Sequence, residues 1–115
     1  MMLDWNEYQK QISANTAKIG RVNREILKGY RGLSEAGNST NLLGAKVREL
    51  IALAVAVTRQ CDGCIVVHTD AAVKEGATRE EIVEALGVAV AVNAGAALIF
   101  STRVMDAFNA KTDSI

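Results

Sequence analysis

The sequence predicts an all-α fold, and three observations carry the prediction. No proline interrupts the 115 residues, so nothing in the chain forces a helix to stop. Apolar residues recur three and four apart along nearly the whole length, the spacing of one helix face. No stretch alternates apolar and polar residues with the period of two that a half-buried strand requires. With 50% apolar but only 4% aromatic residues, the core must be built from alanine and branched aliphatics. The length is that of one domain, 1–115, with no linker.

Trp5, Tyr8 and Ile12 predict a short first helix, and Ile19, Val22, Ile26, Leu27, Tyr30 and Leu33 continue the rhythm into a second. Gly37-Asn38-Ser39-Thr40-Asn41 reads as a loop, because small polar residues cluster there. Ala45 to Thr58 predicts a helix whose centre, Leu50 to Val57, is apolar on every side. Such a helix belongs in a core or an oligomer interface. Asp62 and Gly63 suit a chain reversal or a helix start, Ile65 to Glu75 the helix after it, and Gly76 the residue that closes it. Thr78 followed by Glu81 matches a capping box. Ile82, Val83, Leu86 and Val90 supply the next apolar stripe. A break or a close helix contact is expected around Asn93-Ala94-Gly95, and a last helix carries Leu98, Ile99, Met105 and Phe108.

Charge narrows the function classes. Thirteen basic residues balance thirteen acidic ones, which argues against a nucleic-acid footprint and against a polybasic membrane surface. The amino terminus has neither a basic start nor an apolar stretch, so no signal peptide is expected. Ala85 to Thr102 carries no charge and reaches the lower edge of membrane-span length, roughly 18 residues. It is alanine-rich with Asn93 and Gly95 in its middle, so a pair of helices buried inside protein is the expectation. The chain is read as soluble and cytoplasmic. So much uncharged sequence in so small a domain predicts that other copies cover some helices, a homo-oligomer.

Chemistry concentrates in Cys61-x-x-Cys64-x-x-x-His68, with Glu49 twelve positions before the first cysteine. Two cysteines cannot staple a small secreted scaffold; they are either core or chemistry. Cys64 and His68 share a helix face. Sulfurs three residues apart at a helix start can close into a disulfide with little backbone movement. A thiolate there is stabilised, and the thiolate is the nucleophile. Measured from a reversal near Gln60, Glu49 lies eleven residues upstream and His68 eight downstream. At 1.5 Å per residue these are about 16 and 12 Å from the turn, nearly level in an antiparallel helix pair. The carboxylate then orients the imidazole, and the imidazole takes the cysteine proton.

Plainer readings stand beside this one. Cysteines among apolar residues are often inert core thiols, a lone histidine is often a packed residue, and Glu49 could be a surface ion-pair partner at its helix start. Cys61, Cys64, His68 and Glu49 could also supply four ligands to zinc, although a structural zinc site generally draws on two separated pairs. A thioredoxin-like motif would need strands and a cis-proline.

Glu49, the Cys61-x-x-Cys64-x-x-x-His68 set, Ala71-x-x-x-x-Gly76-Ala77 and Glu80-Glu81-Ile82 together resemble the AhpD-like alkylhydroperoxidase branch of the carboxymuconolactone decarboxylase superfamily, over about Leu43 to Met105. The resemblance implies an all-helical fold assembled as trimers or as hexamers. It implies that Cys64 is the peroxidatic thiol, activated by His68 with Glu49 behind it. Cys61 is then the thiol that condenses with the sulfenic acid to a disulfide, which protects it from over-oxidation. The substrate implied is a hydroperoxide, and the electron donor a dithiol, dihydrolipoyl group or disulfide reductase. No haem, flavin, other cofactor or metal is called for. Some relatives carry a histidine between the cysteines, where this chain has Asp62 and Gly63; any relay through it is missing. Alternatives kept open are a general disulfide oxidoreductase, a lactone decarboxylase and a non-catalytic zinc-binding assembly module.

Overall fold

A computed structural model of the chain describes residues 1–112. All regular structure among them is helical: α1 (Trp5–Val22), α2 (Arg24–Glu35), α3 (Gly37–Thr40), α4 (Ala45–Thr58), α5 (Asp62–Lys74) and α6 (Arg79–Thr112).

The first corner falls later than the apolar rhythm predicts, because a cap sets it rather than a change of period. Asn23 leaves helical geometry at φ −147°, and its N–H closes α1 on the Ile19 carbonyl. Its side chain accepts the Glu25 N–H that opens α2. Ile19 and Val22 therefore belong to α1, not to the second helix. The predicted loop at Gly37–Asn41 is also corrected. Gly37–Thr40 forms one helical turn, closed by Asn41 in the left-handed region at φ 48°.

α4 runs over the predicted residues and returns through Arg59–Cys61 into the antiparallel α5. Gly76 ends α5 with φ +81°, a conformation glycine adopts without a Cβ clash. Its N–H reaches the Val73 carbonyl while Ala77 N–H reaches Ala72, the paired bonds of a Schellman closure. The capping box is present in both directions. Glu81 N–H donates to Thr78 Oγ1 at 3.1 Å, and Thr78 N–H donates to Glu81 Oε1 at 2.9 Å.

The expected break at Asn93–Gly95 is absent, and α6 is one unbroken helix of 34 residues. Asn93 instead makes the close helix contact. Its Nδ2 donates to Thr58 Oγ1 on α4 at 2.8 Å and to its own helix at the Ala89 carbonyl. By length and composition α6 meets the requirement for crossing a bilayer, and 6% of its most apolar window is buried within the chain.

The core is small: Leu53 and Ala56 of α4, Val66 and Ala72 of α5, and Ala89 of α6. α4 lies at the centre with α5 and α6 packed against it, and α1 packs on α5. Gln9 on α1 donates to Asp70 on α5 at 3.1 Å. Lys74 and Gln9 hold the Asp70 carboxyl below its ordinary range by hydrogen bonding.

Candidate functional site

The site is built at the turn between α4 and α5. Gln60 occupies the left-handed region at φ 52°, the residue that closes α4. Gln60 N–H bonds Val57 and Cys61 N–H bonds the Ala56 carbonyl, the same Schellman pattern seen at Gly76. Cys61 therefore serves two helices. Its backbone finishes α4, and its Sγ accepts the Cys64 N–H at 3.1 Å as the cap of α5. An N-cap acceptor satisfies one of the orphan donors of a helix start, and sulfur takes that place here. Cys61 and Cys64 are joined as a disulfide, with Cα atoms 5.2 Å apart. Asp62 opens α5, exposed, where a carboxylate suits the positive end of the helix dipole.

Val66 and Ala72 are buried and fix the rotation of α5. His68 consequently faces α4, one turn beyond Cys64. Its Nδ1 lies 2.7 Å from Glu49 Oε2, and each side chain is 25% exposed. With a carboxylate at that distance, Nδ1–H is the donor, which leaves the Nε2 lone pair as the basic position. Glu49 is thus an imidazole partner rather than the surface ion-pair residue of the plainer reading. The neighbouring Arg48 turns away from it, donating to Asn41 Oδ1 at 2.9 Å and Asn38 Oδ1 at 3.1 Å.

A cleft of about 530 Å³ opens against the Glu49–His68 pair, between α2, α3, α4 and α5. Tyr30, Leu33, Arg48 and Glu75 are among its lining residues. The four residues singled out in the sequence thus form two bonded pairs, sulfur with sulfur at the start of α5 and imidazole with carboxylate one turn further along it. Among the described residues, no three histidine, cysteine, aspartate or glutamate side chains converge as a metal-holding group. Sequence reasoning missed the roles of Gln60 and Arg48. The signal for Arg48 was faint, since only the asparagines at positions 38 and 41 hinted that the preceding turn needed a donor.

The sequence profile of the carboxymuconolactone decarboxylase family matches residues 24–107. An uncharacterized protein of Haemophilus influenzae is 41% identical over 109 residues, covering 95% of this chain and 96% of its own length. The uncharacterized protein 4 in the cox locus of Paracoccus denitrificans is 36% identical over 95 residues, covering 83% of this chain and 86% of its own. The crystal structure of an apo carboxymuconolactone decarboxylase family protein from Legionella pneumophila superposes with a TM-score of 0.73 at 37% identity. It covers 91% of this chain and 94% of that one.

Proposed function

Since the chain belongs to the carboxymuconolactone decarboxylase family, we propose that it acts as a thiol-dependent peroxidase of the AhpD-like kind, cycling Cys61 and Cys64 between dithiol and disulfide. The observation that supports this reading is the 2.7 Å contact between His68 and Glu49 one helical turn from the cysteine pair. That contact supports a base and an orienter for an activated thiol, with Cys64 four residues before the base.

In the reduced protein, Cys64 gives its proton to His68 Nε2 while Glu49 holds the ring by Nδ1–H. The Cys64 thiolate attacks the terminal oxygen of a hydroperoxide and the O–O bond breaks. One oxygen passes to sulfur as a sulfenic acid, and the other leaves as an alcohol that takes the proton from His68. Cys61 then attacks the sulfenic sulfur, the S–S bond forms and water departs. An external dithiol returns two electrons, becoming a disulfide itself and restoring both thiols. No haem or flavin enters the cycle. The working form proposed is a cytoplasmic homo-oligomer, a trimer or a hexamer.

Titrating thiols before and after stoichiometric hydroperoxide tests the cycle, with two lost per chain and both regained on adding a dithiol. Cys64→Ser should abolish peroxide consumption, and Cys61→Ser should leave a sulfenic acid that dimedone traps. Full activity in Cys64→Ser would sink the assignment. Asp62 and Gly63, standing where some relatives have a second histidine, favour a second reading as a general disulfide oxidoreductase. That reading predicts rapid exchange with a small disulfide and no faster reaction with peroxide.

A further inference from the structure

The cleft beside His68 contains a cation that the peroxidase cycle does not use. Arg48 is half-buried, and none of the ion pairs among the described residues includes it. Two neutral amide oxygens, on Asn38 and Asn41, hold its guanidinium instead. They fix its orientation and leave its charge intact. A guanidinium has five N–H donors, so donors remain after those two bonds.

The fold makes room for this arrangement. A Cβ at Gly37 would stand 2.6 Å from Arg48 Cδ, so glycine there lets the arginine lie across the α3 turn. Around it the cleft presents the apolar Tyr30, Leu33, Ala45 and Ala52, interleaved with the polar Ser34 and Asn38. Of the carboxylates in the cleft, Glu49 is engaged by His68. Glu35 and Glu75 belong to exposed residues, where solvent and salt screen them. The volume, about 530 Å³, falls in the range of roughly 300–1000 Å³ that receives small organic ligands.

We propose that Arg48 makes this cleft, which meets the candidate site at His68, a receptor for a carboxylate carried on an apolar chain, so that the hydroperoxides the protein consumes are those of fatty-type acids rather than neutral ones. A planar guanidinium accepts a carboxylate through two parallel bonds, and the alanine, leucine and tyrosine surfaces cover the chain. The substrate class rests on the peroxidase reading; the carboxylate site does not.

His68 is the chain's single histidine and therefore a clean reporter. Octanoate titrated into the protein should shift the His68 ring resonance, whereas octan-1-ol and acetate should leave it in place. Arg48→Met should weaken octanoate about tenfold or more, the scale of one charged hydrogen-bonding contact. Asn38→Asp separates recognition from scaffolding. It keeps an acceptor for Arg48 and so keeps the α3 turn tethered, but it neutralises the cation, and octanoate should be lost there too. Undiminished octanoate binding in Asn38→Asp and Arg48→Met, or acetate binding as tightly as octanoate, would overturn the proposal. In turnover, a fatty-acid hydroperoxide should outpace its own methyl ester. If neither is consumed while octanoate still binds through Arg48, the peroxidase reading fails and the carboxylate site stands. If both are consumed equally and octanoate does not bind, the reverse holds.

Discussion

At the residue scale, the site depends on one bond that the sequence made legible and one conformation that it did not. Register arithmetic from the reversal placed Glu49 level with His68, and the two meet at 2.7 Å. Helix rise is regular enough for such sums to survive. Glu49→Gln should slow peroxide-dependent loss of thiols about tenfold to a hundredfold, checked by stopped-flow titration, with a changed pH–rate profile. An unaltered profile would mean that the carboxylate only packs. Gln60 was not legible in the same way, because a left-handed residue at a helix end is usually betrayed by glycine or asparagine. Glutamine at φ 52° is strained, so Gln60→Gly should raise unfolding stability by about 0.5–1 kcal/mol, measured by urea denaturation. Glu81 sets a pH dependence. The Lys46 ammonium at 2.8 Å and the Thr78 N–H hold its carboxyl down from 4.5 to about 2. A depressed folded value stabilises the native state above 4.5, and that contribution is lost as pH falls toward 2. The melting-temperature gap between wild type and Glu81→Gln should therefore close over that window; a gap unchanged at pH 2 would contradict it.

At the element scale, the sequence was most readable where caps and periodicity agreed. α4, the start of α6 and the Gly76 closure fall where predicted, because apolar spacing and capping chemistry point the same way there. It was least readable where one signal acted alone. The α1–α2 corner turns on the Asn23 cap, invisible to a rhythm that continues through it. The run Asn93-Ala94-Gly95 pointed to a break or a close helix contact, because asparagine and glycine are weak helix formers. The helix continues because tertiary contact overrides propensity. Asn93 spends its amide on Thr58 and on the Ala89 carbonyl. Replacing Asn93 by leucine should leave α6 helical and loosen its seat on α4. Faster amide exchange along α4 and α6, with no loss of helical circular dichroism, would register that change.

At the scale of the whole molecule, the single chain is more open than a compact domain of its length. Its radius of gyration is 19.2 Å, where a compact domain of this length has about 13 Å. It exposes 9165 Å², roughly 3000 Å² more than a folded monomer of its mass shows. Stable interfaces take about 800 Å² from each partner, so the excess suffices for several contacts. Phe100, Val104 and Phe108 lie along the outer half of α6, each more than half exposed. Light scattering should return a multiple of 12.3 kDa in detergent-free buffer, and Phe100→Asp should reduce it. A monomer, or a protein that sediments with lipid vesicles, would contradict assembly through this face. The apolar content was legible in the sequence. Which residues an assembly would use was not, since composition carries no geometry. Because Asn93 bolts α6 to α4 and no kink interrupts the helix beyond it, the outer half behaves as a rigid screw thread. Deleting a single amino acid between the bolt and Phe100 would advance every later side chain by about 100°. The phenylalanines would then face another quarter of the compass, although no contact inside the protomer's own core had changed.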